Sequence, residues 1–167
     1  MTSSIAVDAH FRKFEPQDIV RIKSIASDVR VFIKDEVDEI ANSIQHYEKF
    51  PEGDELLTYV YNVDGDVAGF VSFGLGLGNK TYEIYWLGVS PTRQRAGIGS
   101  KILRFVEELV KSKGGRIIFI ETSSKKDYEP ARHLYERMGY VREGSVKDYF
   151  DDGDDKVVYS KRIKQNQ

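Results

Sequence analysis

Between residues 81 and 122 the hydrophobic pattern changes period twice, and that change restricts the chain to few folds. TYEIYWLGV at 81–89 reads as a strand; Ile98, Ile102, Val106, Leu109 and Val110 then recur at helical spacing from about Gly97 to Lys113. After Gly114-Gly115, which stops the helix, the branched run RIIFIET at 116–122 reads as a short buried strand. A helix joining two strands of one sheet is a crossover, so these two strands are expected to be parallel neighbours. The rest reads antiparallel. LLTYVYNV at 56–63 and VAGFVSF at 67–73 flank Asp64-Gly65, a two-residue hairpin turn, and strands at about 140–147 and 156–162 flank the acidic segment DYFDDGDD. A short strand at 9–14 comes first, followed by a helix start at Glu15-Pro16-Gln17-Asp18. Helical spacing then runs through Ile19, Ile22, Ile25 and Val29 and again through Val37, Ile40 and Ile44, as two helices or one bent one up to Tyr47. A further helix is expected at 129–138. The expected class is therefore α+β (mixed α/β): one mixed, mostly antiparallel sheet of about six to seven strands with helices on both faces.

The crossover helix starts on two glycines, Gly97 and Gly99, although glycine costs roughly 1 kcal/mol against alanine inside a helix. One compensating reason is close approach: bare amides at the positive end of a helix suit a phosphate or pyrophosphate. The other is tight packing of the helix on a strand. No Lys-Ser/Thr follows the glycines as a P-loop requires, and no Gly-x-Gly-x-x-Gly lies at a strand-to-helix turn. GLGLGN at 74–79 reads as a hairpin loop between strands.

Composition narrows the function classes. A chain of 167 residues is read as one domain spanning 1–167, with enough length for a core without staples. Its 25 Lys and Arg against 27 Asp and Glu, a net charge of -2, give no support to nucleic acid as a partner. With no cysteine, disulfides, thiolate metal sites and a Cys nucleophile are excluded, and the reading is cytoplasmic. His10, His46 and His133 lie on separate elements without ligand spacing, so no metal is expected. MTSSIAVDAH lacks the features of a leader, and no apolar run reaches the length of a membrane span; no membrane partner is expected. The run Asp151-Asp152-Gly153-Asp154-Asp155 reads as a solvated turn, with Asp148 and its neighbours as a secondary candidate for attracting a cationic amine.

Gln94-Arg95-Ala96-Gly97-Ile98-Gly99 resembles the Gln/Arg-x-x-Gly-x-Gly/Ala signature of the GNAT superfamily of N-acetyltransferases. LGVSP at 87–91 looks like that family's fourth strand, and ARHLYERMGY at 131–140 like its later helix ending in Tyr-x-x-x-Gly-Phe/Tyr. The correspondence runs in order over residues 55–162. The resemblance implies the GNAT fold and an acetyl-CoA site. In that site the amides of residues 95–100 (Arg95, Ala96, Gly97, Ile98, Gly99 and Ser100) would hold the pyrophosphate, with Gln94 beside it. The backbone around Gly88, at Leu87 and Val89, would pair with the pantetheine arm.

Acetyl transfer to an amine needs an uncharged nucleophile, whereas an alkylamine has a pKa of about 10.4. By the same resemblance Glu83 is the candidate base, with Glu121 in reserve and a water chain as the alternative. A strand amide near Leu87 or Val89 would polarise the thioester carbonyl. Tyr135 would protonate the departing thiolate. One departure stands out: where the family often carries Asn, this chain has Tyr128, and Ser123 or Ser124 is the expected replacement contact. The implied function is acetyl transfer from acetyl-CoA to a primary amine of a small molecule or a protein, by direct attack in a ternary complex. The resemblance also allows a homodimer by edge pairing of the closing strands. A non-catalytic acyl-CoA-binding or regulatory module stays open as the alternative.

Overall fold

The computed structural model describes residues 8–29 and 31–165; residues 1–7, on which part of the leader reading rests, lie outside it. β1 (Phe11–Lys13) is a three-residue edge strand inside the expected 9–14, pairing antiparallel with β2 (Leu57–Val63). β2 turns into β3 (Asp66–Leu75) through Asp64 and Gly65, both at positive φ (51° and 80°), the conformation that suits the twist of a two-residue hairpin. β3 pairs antiparallel with β4 (Thr81–Val89), and β4 pairs parallel with β5 (Ile117–Ser123). The crossover between them is α3 (Ile98–Ser112), as the change of period requires. β7 (Asp154–Arg162) pairs antiparallel with β5, and β6 (Val141–Asp151) lies outside it, giving one sheet in the order β1-β2-β3-β4-β5-β7-β6.

Successive residues of each strand feed opposite faces, as the pleat dictates. Val60, Val67 and Phe70 meet Ile22, Ile25, Val37 and Ile40 of α1 (Ile19–Asp28) and α2 (Lys34–Tyr47). On the other face Val71, Tyr82, Ile118 and Tyr159 meet Ile102, Val106 and Val110 of α3 and Tyr135 of α4 (Glu129–Arg137). The N-terminal helical pattern is two helices, not one bent one. The chain is extended at Ile33 (φ -76°, ψ 165°), and the Glu36 carboxylate accepts the Ile33 amide at 2.8 Å, restarting the helix with a side-chain cap.

The closing hairpin differs from its expected form. The acidic run is a solvated turn only in part: β6 runs to Asp151, β7 starts at Asp154, and Asp152-Gly153 turn between them, with Asp151–Gly153 exposed. Asp154 is buried and accepts a hydrogen bond from the Ser123 hydroxyl. Asp155 accepts the Asp148 amide and Asp148 accepts the Gly153 amide, each at 2.9 Å. These carboxylates satisfy backbone donors that an irregular hairpin leaves over.

Candidate functional site

β4 holds β3 along its length but holds β5 only from Thr81, opposite Ile117, to Ile84, opposite Ile120. Between β3 and β4 the register shifts: Ile84 faces Phe73 and Trp86 faces Ser72, so Tyr85 is one residue extra on β4. Such a bulge bends and overtwists its strand. Beyond it β4 follows β3 while β5 follows β7, from Glu121 opposite Val158 to Ser123 opposite Lys156, and a gap opens between the parallel strands. On the gap side, residues Tyr85–Val89 have no strand beside them among the described residues. The Gln94 side-chain amide reaches this stretch, donating to the Val89 carbonyl at 3.2 Å.

From the end of β4 the chain makes a short turn at Pro91–Arg93 and enters α3 through Arg95 and Gly97, both left-handed (φ 67° and 74°). The first bond into the helix runs from the Lys101 amide to the Gly97 carbonyl at 3.1 Å, leaving the amides of Ile98, Gly99 and Ser100 without a partner in the helix. Gln94, Arg95, Ala96 and Gly97 are exposed, Gly99 and Ser100 half-buried, and Ile98 sits in the core. The two glycines have different reasons. A Cβ on Gly97 would meet nothing within 4 Å, so no protein packing demands glycine there; the left-handed φ does. A Cβ on Gly99 would lie 2.9 Å from Leu134 Cδ2, so Gly99 serves packing, on α4 and not on a strand. Leu134 precedes Tyr135 on α4, so this side of α4 lies against the first turn of α3.

Tyr135 is buried, its ring meeting Tyr159 edge-on at 5.7 Å. Burial, then the neighbouring Tyr159 and Tyr128 phenols, push its pKa up to about 12, so the hydroxyl keeps its proton at neutral pH. Glu83 faces Phe119 one residue before β4 and β5 part. Its half-buried carboxyl lies over Gly76, where a Cβ would stand 2.7 Å from Oε1. Burial raises its pKa, the charge of Glu121 raises it further, and Lys156 opposes both. Glu121, the reserve candidate, is exposed and ion-paired with Lys156 at 3.2 Å. Glu83 has no such partner among the described residues.

Tyr128 does not face the cleft as an open polar contact. Its hydroxyl donates to the Val31 carbonyl at 2.6 Å, tying the turn before α4 to the link between α1 and α2. Burial, then the charges of Glu36 and two aspartates, lift its pKa to about 12. The serines expected to replace an asparagine contact are committed elsewhere. The Ser123 hydroxyl donates to Asp154 and accepts the Lys125 amide at 3.0 Å, and the Ser124 hydroxyl accepts the Asp155 amide at 2.8 Å. Asp148, the secondary candidate for drawing in an amine, is engaged by the Gly153 amide. Sequence reasoning missed three features: the Tyr85 bulge, Tyr128 as a tether, and Lys156 between Glu121 and the Tyr149 ring, whose centroid lies 3.9 Å from Nζ. The first two had no local signal. Lys156 was visible only as a lone cation after an acidic run.

Among the described residues no helix is long and apolar enough to cross a membrane. A profile of the acetyltransferase (GNAT) family matches residues 22–140. S-(2-succino)cysteine N-acetyltransferase of Bacillus subtilis (strain 168) is 28% identical over 95 residues, covering 54% of this chain and 58% of that protein, so the match spans little more than half of its curated relative. A crystal structure of a GNAT-family protein from Desulfovibrio desulfuricans is 30% identical, covers 92% of this chain and 98% of its own, and superposes with a TM-score of 0.87. An aminoglycoside 6'-N-acetyltransferase complexed with coenzyme A shares the fold at 18% identity, with a TM-score of 0.74 over 94% of this chain and 98% of that one.

Proposed function

The chain belongs to the acetyltransferase (GNAT) family, and from that premise we propose that it moves an acetyl group from acetyl-CoA to a primary amine by direct attack in a ternary complex. The observation that carries this reading is the parting of β4 from β5 after Ile84, next to the free amides that open α3. The residues fit the cosubstrate. An extended pantetheine arm finds a strand edge at Leu87 and Val89 with no neighbouring strand among the described residues and only the Gln94 side chain on the Val89 carbonyl, and a pyrophosphate finds amides at a helix N-terminus whose Gly97 leaves the approach clear. Arg95 and Gln94 stand on the exposed approach, and Ser100 follows in the first turn. Acetyl-CoA supplies an activated acyl carbon and a thiolate leaving group.

Glu83 accepts a proton from the incoming amine. Its raised pKa brings it closer to neutrality, where a base works best, and its carboxylate is not held by a cation as that of Glu121 is. A backbone amide near Leu87 or Val89 offers a fixed donor for charge developing on the carbonyl oxygen. Tyr135, protonated in its buried setting, donates to the departing sulfur.

Calorimetry on Gly97→Val tests the cofactor half of the reading. A β-branched residue resists a φ of 74°, so the first turn must shift, and acetyl-CoA affinity is expected to fall about tenfold or more while the thermal transition stays cooperative. Unchanged affinity would remove the amide cradle. Thiol release on an amine panel tests the transfer itself.

A further inference from the structure

α4 carries Tyr135 and ends in a turn that a distant lysine closes. After Arg137 the chain passes through Met138 to Gly139, left-handed at φ 84°, and folds back. The Gly139 amide donates to the Glu136 carbonyl and the Tyr140 amide to the Tyr135 carbonyl, each at 3.0 Å. In this kind of helix stop the residue after the glycine returns to the last turn and packs on it. Accordingly the Tyr140 ring lies 6.3 Å from that of Tyr135. The pattern leaves the Met138 carbonyl over, and Lys161 takes it. Its ammonium donates to that oxygen at 2.7 Å and to Glu107 Oε2 at 2.9 Å, with the Tyr140 ring centroid 5.5 Å away.

Lys161 belongs to β7, where it continues the row of Val157 and Tyr159 that faces α3 and α4. Glu107 stands on α3 between the buried Leu103 and Val110, one turn to either side. Neither side chain lies in open water: Lys161 is 28% and Glu107 15% exposed, and Glu107 Oε1 is buried without a partner among the described residues. A cation at a helix C-terminus also meets the negative end of the macrodipole. One ammonium thus joins α3, β7 and the end of α4. At its other end α4 is held by Arg132, whose guanidinium donates to the Ser123 and Lys125 carbonyls at 2.6 and 2.9 Å.

We infer that Lys161 is a positioning residue for Tyr135: by holding the Met138 carbonyl and Glu107 together it fixes the end of α4, and so the place that the Tyr135 hydroxyl reaches. This rests on the acetyl-transfer reading above and adds a residue to it. Lys161 bonds to Met138 and Glu107, not to the strand edge of β4 or the amides that open α3. A phenol that gives its proton to a departing sulfur must stand at hydrogen-bond distance as the C–S bond breaks, and a misplacement on the order of 1 Å costs about a hundredfold in rate. Affinity for acetyl-CoA depends on other elements, so rate and affinity separate.

The test is a cycle of variants, with acetyl-CoA and with spermidine, L-lysine, kanamycin and hydroxylamine as amines, followed by thiol release. Removing Lys161 alone leaves the Glu107 charge buried and unpaired, so Lys161→Met is made beside Glu107→Gln/Lys161→Met, in which both charges go. Either variant is expected to lose about 10- to 100-fold in kcat while acetyl-CoA affinity by calorimetry stays within about twofold. In the Tyr135→Phe background the same changes should lower kcat no further, because they act through a hydroxyl that is no longer there. Amide hydrogen exchange read by NMR gives a second measure: Gly139 and Tyr140 should exchange faster in both variants, with the amides of β5 unchanged. A lysine that only stabilised the fold would lower kcat equally in both backgrounds, or lower acetyl-CoA affinity with it. Either of those results, an unchanged kcat, or unchanged exchange at Tyr140 overturns the inference. A wild-type rate in Tyr135→Phe overturns it together with the role of Tyr135. Absence of acetyl-CoA binding, or of thiol release with every amine, removes the transfer reading as well.

Discussion

The first four residues of β4 and the last five share a strand but not an environment. Thr81–Ile84 are held on both sides, by β3 and by β5, and Tyr82 and Ile84 are buried in the core under α3. Tyr85–Val89 are held by β3 alone, after a one-residue bulge. The paired half has its backbone groups satisfied and its side chains packed, so it supplies stability. The parted half leaves main-chain donors and acceptors along a cleft, which costs stability unless something else pairs with them. The same division separates the side chains proposed for chemistry from those that hold the sheet. Glu83 stands at the boundary and Tyr135 on the helix packed beside the cleft.

The sharpest way to break the comparison is at Tyr135. Tyr135→Phe is expected to lower kcat by about a hundredfold or more, the effect of losing a general acid, with acetyl-CoA affinity within twofold of wild type. Pre-steady-state thiol release measures it. An unchanged kcat would mean that the cleft supplies binding and no proton.

Ile118→Ala examines the paired half. Ile118 is fully buried on β5 opposite Tyr82, and its truncation is expected to cost about 2–5 kcal/mol in chemical denaturation. The surviving folded fraction should bind acetyl-CoA normally. A large loss of affinity per folded molecule would show the two halves to be coupled, against the division drawn above.

The smallest effect sits on the boundary. Glu83 must be ionised to act as a base, and burial together with Glu121 raises its pKa above the ordinary 4.5. The acidic limb of the pH–rate profile should therefore lie above the usual carboxylate range, and Glu83→Gln should remove it. The stability effect has the opposite sense. The folded state holds this proton more tightly than the unfolded chain, so stability is full below the ordinary pKa and declines as pH rises through the raised one. Glu83→Gln should then be as stable as wild type or slightly more so at neutral pH, read by thermal melts at two pH values.

Much of the fold was legible in the residues because it depends on period and turn chemistry. The change from alternation to helical spacing at Gly97 and back at Arg116 demanded a crossover, and β4 and β5 are parallel; Asp64-Gly65 demanded a tight hairpin, and both residues take positive φ. The limits were at element ends. The acidic run does turn in solvent at Asp151–Gly153, but charge by itself says nothing about the burial of Asp154 or about the backbone amides that Asp148 and Asp155 satisfy. β6 was expected to stop at 147 and extends to Asp151, with its excursion at Lys147–Phe150.

What the sequence by itself determined is the order of elements, the parallel pair at the centre of the sheet, and the glycine-bearing helix start that follows it. These follow from neighbours a few residues apart, whose spacing decides which face they share. Only the tertiary structure decided that Tyr85 is an extra residue, that β5 leaves β4 after Ile120, and that Gly99 makes room for Leu134 while Gly97 serves its own φ. It also decided that Glu121 is held by Lys156 and that Tyr128 bonds to Val31, 97 residues away. Such contacts join strands and loops far apart in the chain, and a side chain's charge or ring has no local period from which its distant partner can be read.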